Sequence, residues 1–235
     1  MEKKILLIIP AYNEATNIEN LINHIIMNYT QYDYIIVNDG SSDNTQEICE
    51  RKGYHVLNLP VNLGIGGAVQ TGYLYALKNH YDIAVQIDGD GQHDVSDVEK
   101  VIAPILEEES DISIGSRFVT KEGFQTTGSR RFGIRILSGL IWICTGKHIK
   151  DVTSGFRAVN SKFIEVYSSD YPTDYPEPEA LITALIYGGR VSEIPVVMKE
   201  RESGTSSINI RKSVYYMIKV TLAILIRRIS YGIRR

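Results

Sequence analysis

Ile83-Ala84-Val85-Gln86-Ile87 runs directly into Asp88-Gly89-Asp90-Gly91-Gln92-His93-Asp94, an apolar strand that breaks into an acidic loop. Side chains of extended backbone alternate with period two, so an Asp-x-Asp pair at a strand end sets both carboxylates on one side. Two hard oxygen donors there, with the Gln92 amide oxygen two residues on, suit Mg²⁺ or Mn²⁺ carrying a diphosphate. Asp and Gly are also ordinary turn residues, and taken alone the stretch fits a solvated turn equally well. An EF-hand is not expected, because its sixth position requires Gly, although its twelfth takes Glu. Counting from Asp88, the sixth residue here is His93 and Glu99 stands at the twelfth.

Outward from this loop, strands and helices alternate. Strands are expected at Lys4–Ile9, Asp33–Asn38, Tyr54–Leu59, Asp82–Ile87 and Asp111–Gly115. Between them, Ile18, Leu21, Ile22, Ile25 and Ile26 keep helical spacing behind Asn13 or Thr16 as N-cap, with Glu19 completing a capping-box pattern after Thr16. Further helices are expected over Thr45–Lys52, with Gly53 as C-cap, over Gly66–Lys78 and over Val95–Glu109. Such alternation implies a doubly wound, mostly parallel α/β sheet, and these sheets bind ligands outside the carboxyl ends of their strands. Tyr12 and Glu14, Asp39, and the Asp88/Asp90 pair all follow strands and so share that edge, which favours a built site over a solvated turn. Ser129–Cys144 and Ala180–Tyr187 read as helices and Val191–Val197 as a strand near an edge, since it contains Pro195. The three prolines in Tyr171–Glu179 predict a non-helical approach to the second of these helices.

The chain has 235 residues, 43% hydrophobic and 23% charged, which suits one globular domain with an appendage. Cys49 and Cys144 are too few and too far apart for a disulfide or zinc framework, and no cleavable leader is evident at the N-terminus. A reducing cytoplasmic setting is expected. Charge is uneven. Ser203–Arg235 carries seven cations and no carboxylate, whereas the remainder has 18 basic and 28 acidic residues. Gly64-x-Gly66-Gly67 suggests a dinucleotide fingerprint, but its third glycine is replaced by Val69. These glycines are expected to let a helix start approach a neighbouring loop or a phosphate.

Several segments together resemble family 2 glycosyltransferases of the GT-A fold, in the branch of dolichyl- and polyprenyl-phosphate sugar synthases. They are Ile9–Glu14, Val37–Thr45, Asp88–His93, Gly115-Ser116-Arg117, Thr153–Arg157 and Glu200–Ser206. The resemblance implies that Pro10, Tyr12, Glu14 and Asp39, with Asp88, bind the nucleotide-sugar. It implies that Asp88, Asp90 and Gln92 hold Mg²⁺ or Mn²⁺, and that transfer inverts the anomeric centre through an oxocarbenium-like state. Arg117, Arg131 and Arg201 match arginines that face a lipid phosphate, with Arg130 and Arg135 as alternatives to Arg131. A phosphate acceptor has a second pKa of about 6 and needs positioning more than deprotonation, which guanidinium forks supply. Glu177 and Glu179 occupy the place of an acidic pair; Glu179 would be the base toward a hydroxyl acceptor, or would orient an arginine. Two departures are the lack of a basic residue near Ile65 and of the spanning C-terminal helices found in several relatives.

Ser213–Ile229 has an apolar helical stripe interrupted by Lys219 and Arg227-Arg228, as expected of an amphipathic helix lying in an anionic interface. A core or dimer-forming helix is the alternative. The expected organisation is a GT-A domain over 1–210 and a membrane-associating helix over 211–235. Partners would be a nucleotide-sugar donor, a polyprenyl phosphate and the inner face of the cytoplasmic membrane, with room for a homodimer or a small membrane-protein partner. Nucleic acid is not among them. The rivals are transfer to a hydroxyl of a lipid-linked glycan and a non-catalytic membrane scaffold with a relic nucleotide site.

Overall fold

In the computed structural model, which describes residues 3–120, 128–174, 176–198 and 210–233, Ile5–Ala11 forms the inner strand β1. Every residue from Leu6 to Ala11 is buried, as expected of a parallel strand covered on both faces. β2 (Asp33–Asn38) and β4 (Ile83–Gln86) pair parallel on either side of it, and β3 (Val56–Asn58) flanks β2. Beyond β4 the direction changes. β6 (Arg157–Asn160) lies antiparallel between β4 and β5 (Ile112–Ser116), and β7 (Val191–Pro195) closes the edge parallel to β5. The seven-stranded order is β3-β2-β1-β4-β6-β5-β7. Because β6 is reversed, the segment leading into it, Thr153–Phe156, emerges on the edge where β1, β2, β4 and β5 end.

Alternation along β1 divides the core. Leu7 and Ile9 pack with α1 (Ile18–Asn28), α2 (Thr45–Lys52) and α4 (Val98–Leu106). Leu6 and Ile8 pack on the other face with α3 (Gly64–Lys78), α5 (Gly128–Thr145), α6 (Ser161–Ser169), α7 (Pro176–Ile186) and α8 (Ile210–Ile233). α3 comes so close to β1 that a Cβ on Gly72 would stand 2.2 Å from Ile8 Cγ2.

Local chemistry explains where expectation and structure part. α1 starts without the Thr16 capping box: Asn17 is its N-cap and makes no side-chain capping bond, while the Glu14 carbonyl accepts from the Asn17 and Ile18 amides. The helix expected over Val95–Glu109 is a 3-10 turn, Val95–Asp97, capped by Asp94 on the Ser96 amide, followed by the shorter α4. α7 begins at Pro176, four residues before the expected start. Prolines in a first helical turn remove only amides that have no partner there. α6 was not expected, yet Asn160 caps it through the Phe163 amide at 3.2 Å and Phe163, Ile164 and Tyr167 form its buried face. α8 is anchored by fully buried Val220 and Ile224 and exposes Tyr215, Ile218, Leu222, Ile226 and Ile229. Among the described residues no helix is long and apolar enough to cross a membrane.

Candidate functional site

The loops after β1 and β2 are stitched into one wall. Asn13 adopts φ 58°, and its Oδ1 accepts from the Ser42 amide at 2.8 Å. The Glu14 amide donates to Thr45 Oγ1 at 2.9 Å and the Ala15 amide to Asp43 Oδ2 at 3.1 Å. Burial would raise the Asp43 carboxyl, but hydrogen bonds from Thr45 and Ala15 hold it below the usual range. Glu14 Oε2 accepts from Asn17 Nδ2 at 2.8 Å, and Tyr12 stands exposed at the rim. Asp39 is buried and its Oδ1 accepts from the Leu63 amide at 2.7 Å. Burial lifts its carboxyl above the ordinary value despite those backbone donors. Gly66 brings the start of α3 against Pro172-Thr173, where a Cβ would meet the Pro172 carbonyl at 2.0 Å. A neighbouring loop thus fills that place.

The acidic loop leans on this wall: a Cβ on Gly89 would stand 3.1 Å from the Pro10 carbonyl and 3.7 Å from Glu14 Cγ. Asp90 is 4% exposed, and its Oδ1 accepts from the Gln92 amide at 3.1 Å. The Asp88 side chain is 33% exposed. Beneath it, the Asp88 amide donates to Nδ1 of buried His93 at 3.1 Å, which leaves the ring proton on Nε2, 3.7 Å from Asp88 Oδ2. His93 stacks on Phe156 at 5.0 Å. Gly155, next to that ring, lets Asp88 and Gln86 pack against bare backbone. Among the described residues no three His, Cys, Asp or Glu side chains converge on one metal position. Asp88, Asp90 and Gln92 instead offer an oxygen-only set. That fits a hard cation such as Mg²⁺ or Mn²⁺, which completes its shell with water and phosphate oxygens.

The other side of the acidic loop is a charge cluster. Arg117 and Asp151, both buried, form a two-pronged pair at 2.8 Å (Nε–Oδ2) and 2.7 Å (Nη2–Oδ1), and Asp151 also accepts the Arg117 amide at 3.0 Å. Burial works against the Arg117 charge, but Asp151 more than offsets it and raises the guanidinium pKa. Glu193 on β7 supports the pair, accepting from the Asp151 amide and from Ser116 Oγ. Arg157, in the Thr153–Arg157 motif, binds three carbonyls, those of Val152, Ser154 and Glu177. It thereby ties the loop before β6 to the start of α7. Burial pushes the Glu177 carboxyl up, and Arg157, Asp88 and Arg130 all lie within its electrostatic reach. Desolvation and the neighbouring Arg117 lower the Arg130 pKa, with Asp151 and Glu177 acting in the opposite sense.

Two neighbours of the expected residues share this cluster. Arg130 stands in the field of Arg117, Asp151 and Glu177, while Arg131, half-buried, holds its guanidinium 5.5 Å over the Phe118 ring, which Arg117 also covers at 5.4 Å. Glu177 shares the field of Asp88. Glu179, expected as base toward a hydroxyl acceptor or to orient an arginine, lies in the field of Arg227 and Lys219 of α8 and of Asp174. Arg201 and the Glu200–Ser206 segment lie outside the described residues. Sequence reasoning assigned no role to Asp151, Glu193, His93 or Arg157. The Thr153–Arg157 motif was the available signal for Arg157 and for Gly155, while Glu193 carries none that is local.

Comparison with known proteins agrees with this architecture. The profile of Glycosyl transferase family 2 matches residues 6–167. UDP-N-acetylglucosamine--dolichyl-phosphate N-acetylglucosaminyltransferase of Methanococcus voltae is 34% identical over 215 residues, 83% of this chain and 85% of that protein. Polyprenol monophosphomannose synthase of Mycolicibacterium smegmatis is 26% identical over 226 residues, covering 91% and 85%. Among solved structures, glucosyl-3-phosphoglycerate synthase of Mycobacterium tuberculosis, in complex with Mn²⁺, UDP-glucose and phosphoglyceric acid, shares the fold. It has a TM-score of 0.74 at 21% identity, over 96% of this chain and 80% of that one. The chain belongs to glycosyl transferase family 2 and is a glycosyltransferase.

Proposed function

We propose that this transferase moves a hexose from a nucleotide-sugar to a polyprenyl phosphate at the inner face of the cytoplasmic membrane, with inversion at the sugar. The observation that carries the reading is that two guanidiniums, Arg117 and Arg130, share one electrostatic field with Asp88 and Glu177. An acceptor that is already anionic needs cations to hold it in line with the donor and no strong base. Relatives named for dolichyl, polyprenol and undecaprenyl phosphate transfer support the same acceptor class.

Pro10, Tyr12, Glu14 and Asp39 form the wall for the nucleoside. Asp88, Asp90 and Gln92 are the residues that would hold Mg²⁺ or Mn²⁺, which when bound stabilises charge building on the departing diphosphate. Asp151 fixes the orientation of Arg117. Glu177 shares the field of Arg130, and Arg131 and Arg201 are the further arginines assigned to the acceptor phosphate. Residues 1–210 act as the catalytic domain and the helix of 211–235 as the membrane contact, through the exposed stripe of α8.

The test is to incubate the full chain with radiolabelled nucleotide-sugars, Mn²⁺ and undecaprenyl phosphate and to count label in the lipid phase. Label is expected there, and it should vanish in Asp90→Ala with the fold retained. Transfer to a glycosylated lipid but none to undecaprenyl phosphate would replace this reading with a hydroxyl acceptor.

A further inference from the structure

The segment between α6 and α7, residues 170–174, runs as a strap from α8 to the start of α3. Carboxylates at both of its ends pair with α8. Asp170 accepts from Arg227 at 2.5 Å (Nη1–Oδ2) and 2.7 Å (Nη2–Oδ1), and Asp174 accepts from Lys219. The middle is pinned from within: Tyr171 is buried, with its ring 5.4 Å from that of Tyr73 on α3 and 5.2 Å from that of Tyr167 on α6. On the far side the Thr173 carbonyl accepts from the Gly66 amide at 3.1 Å. Gly66 lies in the first turn of α3, where amides have no partner within the helix, so the strap caps that helix.

The turn just before this capped amide is bound to Asp39. The Leu63 amide donates to Asp39 Oδ1 at 2.7 Å, Asn62 Nδ2 to the Asp39 carbonyl at 3.1 Å, and the Gly64 amide to Asn62 Oδ1 at 3.1 Å. A Cβ on Gly40 would stand 2.9 Å from the Asn62 nitrogen, so the turn has no slack on that side. Direct contacts therefore run without a break from α8 through the strap to Asp39. Exposed single-pronged ion pairs hold little orientation, but the Arg227–Asp170 pair is two-pronged and half-buried.

We infer that Arg227 and Lys219 are positioning residues for the donor: by holding Asp170 and Asp174 they keep the strap on α3, and with it the turn of residues 62–64 and Asp39 in place for the nucleoside. The inference rests on the reading of Asp39 as part of the nucleoside wall. Neither cation touches the nucleotide. Their loss lowers the fraction of molecules with the strap seated, and apparent affinity falls by that fraction.

Titration calorimetry of the full chain with UDP, GDP and dTDP, each with Mn²⁺ and without lipid, identifies the nucleotide that binds most tightly. Arg227→Asp sets a carboxylate against Asp170 and should raise its Kd about fivefold, while melting moves by no more than a few degrees. Adding Asp170→Arg rebuilds the pair in reverse and should recover most of the loss, which a merely structural defect would not. If Arg227→Asp fails to fold, Arg227→Gln/Lys219→Gln removes both pairs without repulsion and should raise Kd about threefold. An unchanged Kd in the folded variant, or a loss that the reversed pair does not recover, overturns the inference and leaves the donor wall standing. A parent chain that binds none of the three nucleotides rejects the donor wall itself, and the inference with it.

Discussion

Gly155→Ala is the smallest change that reads out the acidic loop. The added methyl would stand 3.0 Å from both Asp88 Oδ1 and Gln86 Nε2 and 3.1 Å from Asp88 Oδ2. Ordinary contact begins near 3.4 Å, so the overlap is about 0.4 Å, and overpacking of this kind costs on the order of 1 kcal/mol. Gly155 has no left-handed φ, so alanine adds no backbone strain. Gln86 is completely buried, while the Asp88 side chain is 33% exposed. Asp88 therefore takes up the displacement. Catalytic groups work within about 0.5 Å of their productive position, and a 1 Å error costs roughly a hundredfold. A shift of a few tenths of an ångström should then lower transfer about tenfold and raise the half-saturating Mn²⁺ concentration by a similar factor. The assay is a Mn²⁺ titration of initial transfer rates, with thermal melting in parallel. A variant that melts within a few degrees of the parent and keeps both its rate and its Mn²⁺ dependence would refute the assignment of Asp88 to the metal.

Asp151→Asn leaves Arg117 buried without its counter-charge, and breaking such a pair costs about 3–5 kcal/mol; urea unfolding should show that loss, and full stability would contradict the buried pairing. Glu177→Gln should reduce transfer about tenfold or more by removing the buried charge that Asp88, Arg157 and Arg130 share, whereas Glu179→Gln should retain most activity; the opposite ranking in a side-by-side rate assay would restore Glu179 to the centre. At Asp111 burial opposes ionisation, but Arg190 and Asn160 hold the carboxyl below its ordinary value. Its contribution is therefore present above the unfolded pKa of about 3.9 and is lost as pH falls through the lower folded value. Melting curves between pH 6 and 2.5 should show a shallower acid limb in Asp111→Asn, and identical limbs would remove Asp111 from the acid response.

Features of local origin were legible from the residues themselves. Continuous apolar runs in Ile5–Ala11 and Ile83–Gln86 mark strands buried on both faces, and the loops after them necessarily fall on one edge of a parallel sheet. Asp39 and the Asp88/Asp90 pair were thus placed by periodicity alone. The reversed insertion of β6 emerged with the fold, because strand pairing between Val85 and Ala158 leaves no trace in either segment. So did the different surroundings of Arg130 and Arg131. Adjacent helical residues point about 100° apart, and which of them meets Arg117 depends on how α5 is rolled against its neighbours. The same holds for Glu177 and Glu179, about 200° apart in the first turn of α7. Helical phase is set by packing partners far along the chain, so the acidic strand-end edge could be read from the residues and the arginine cluster required the packed molecule.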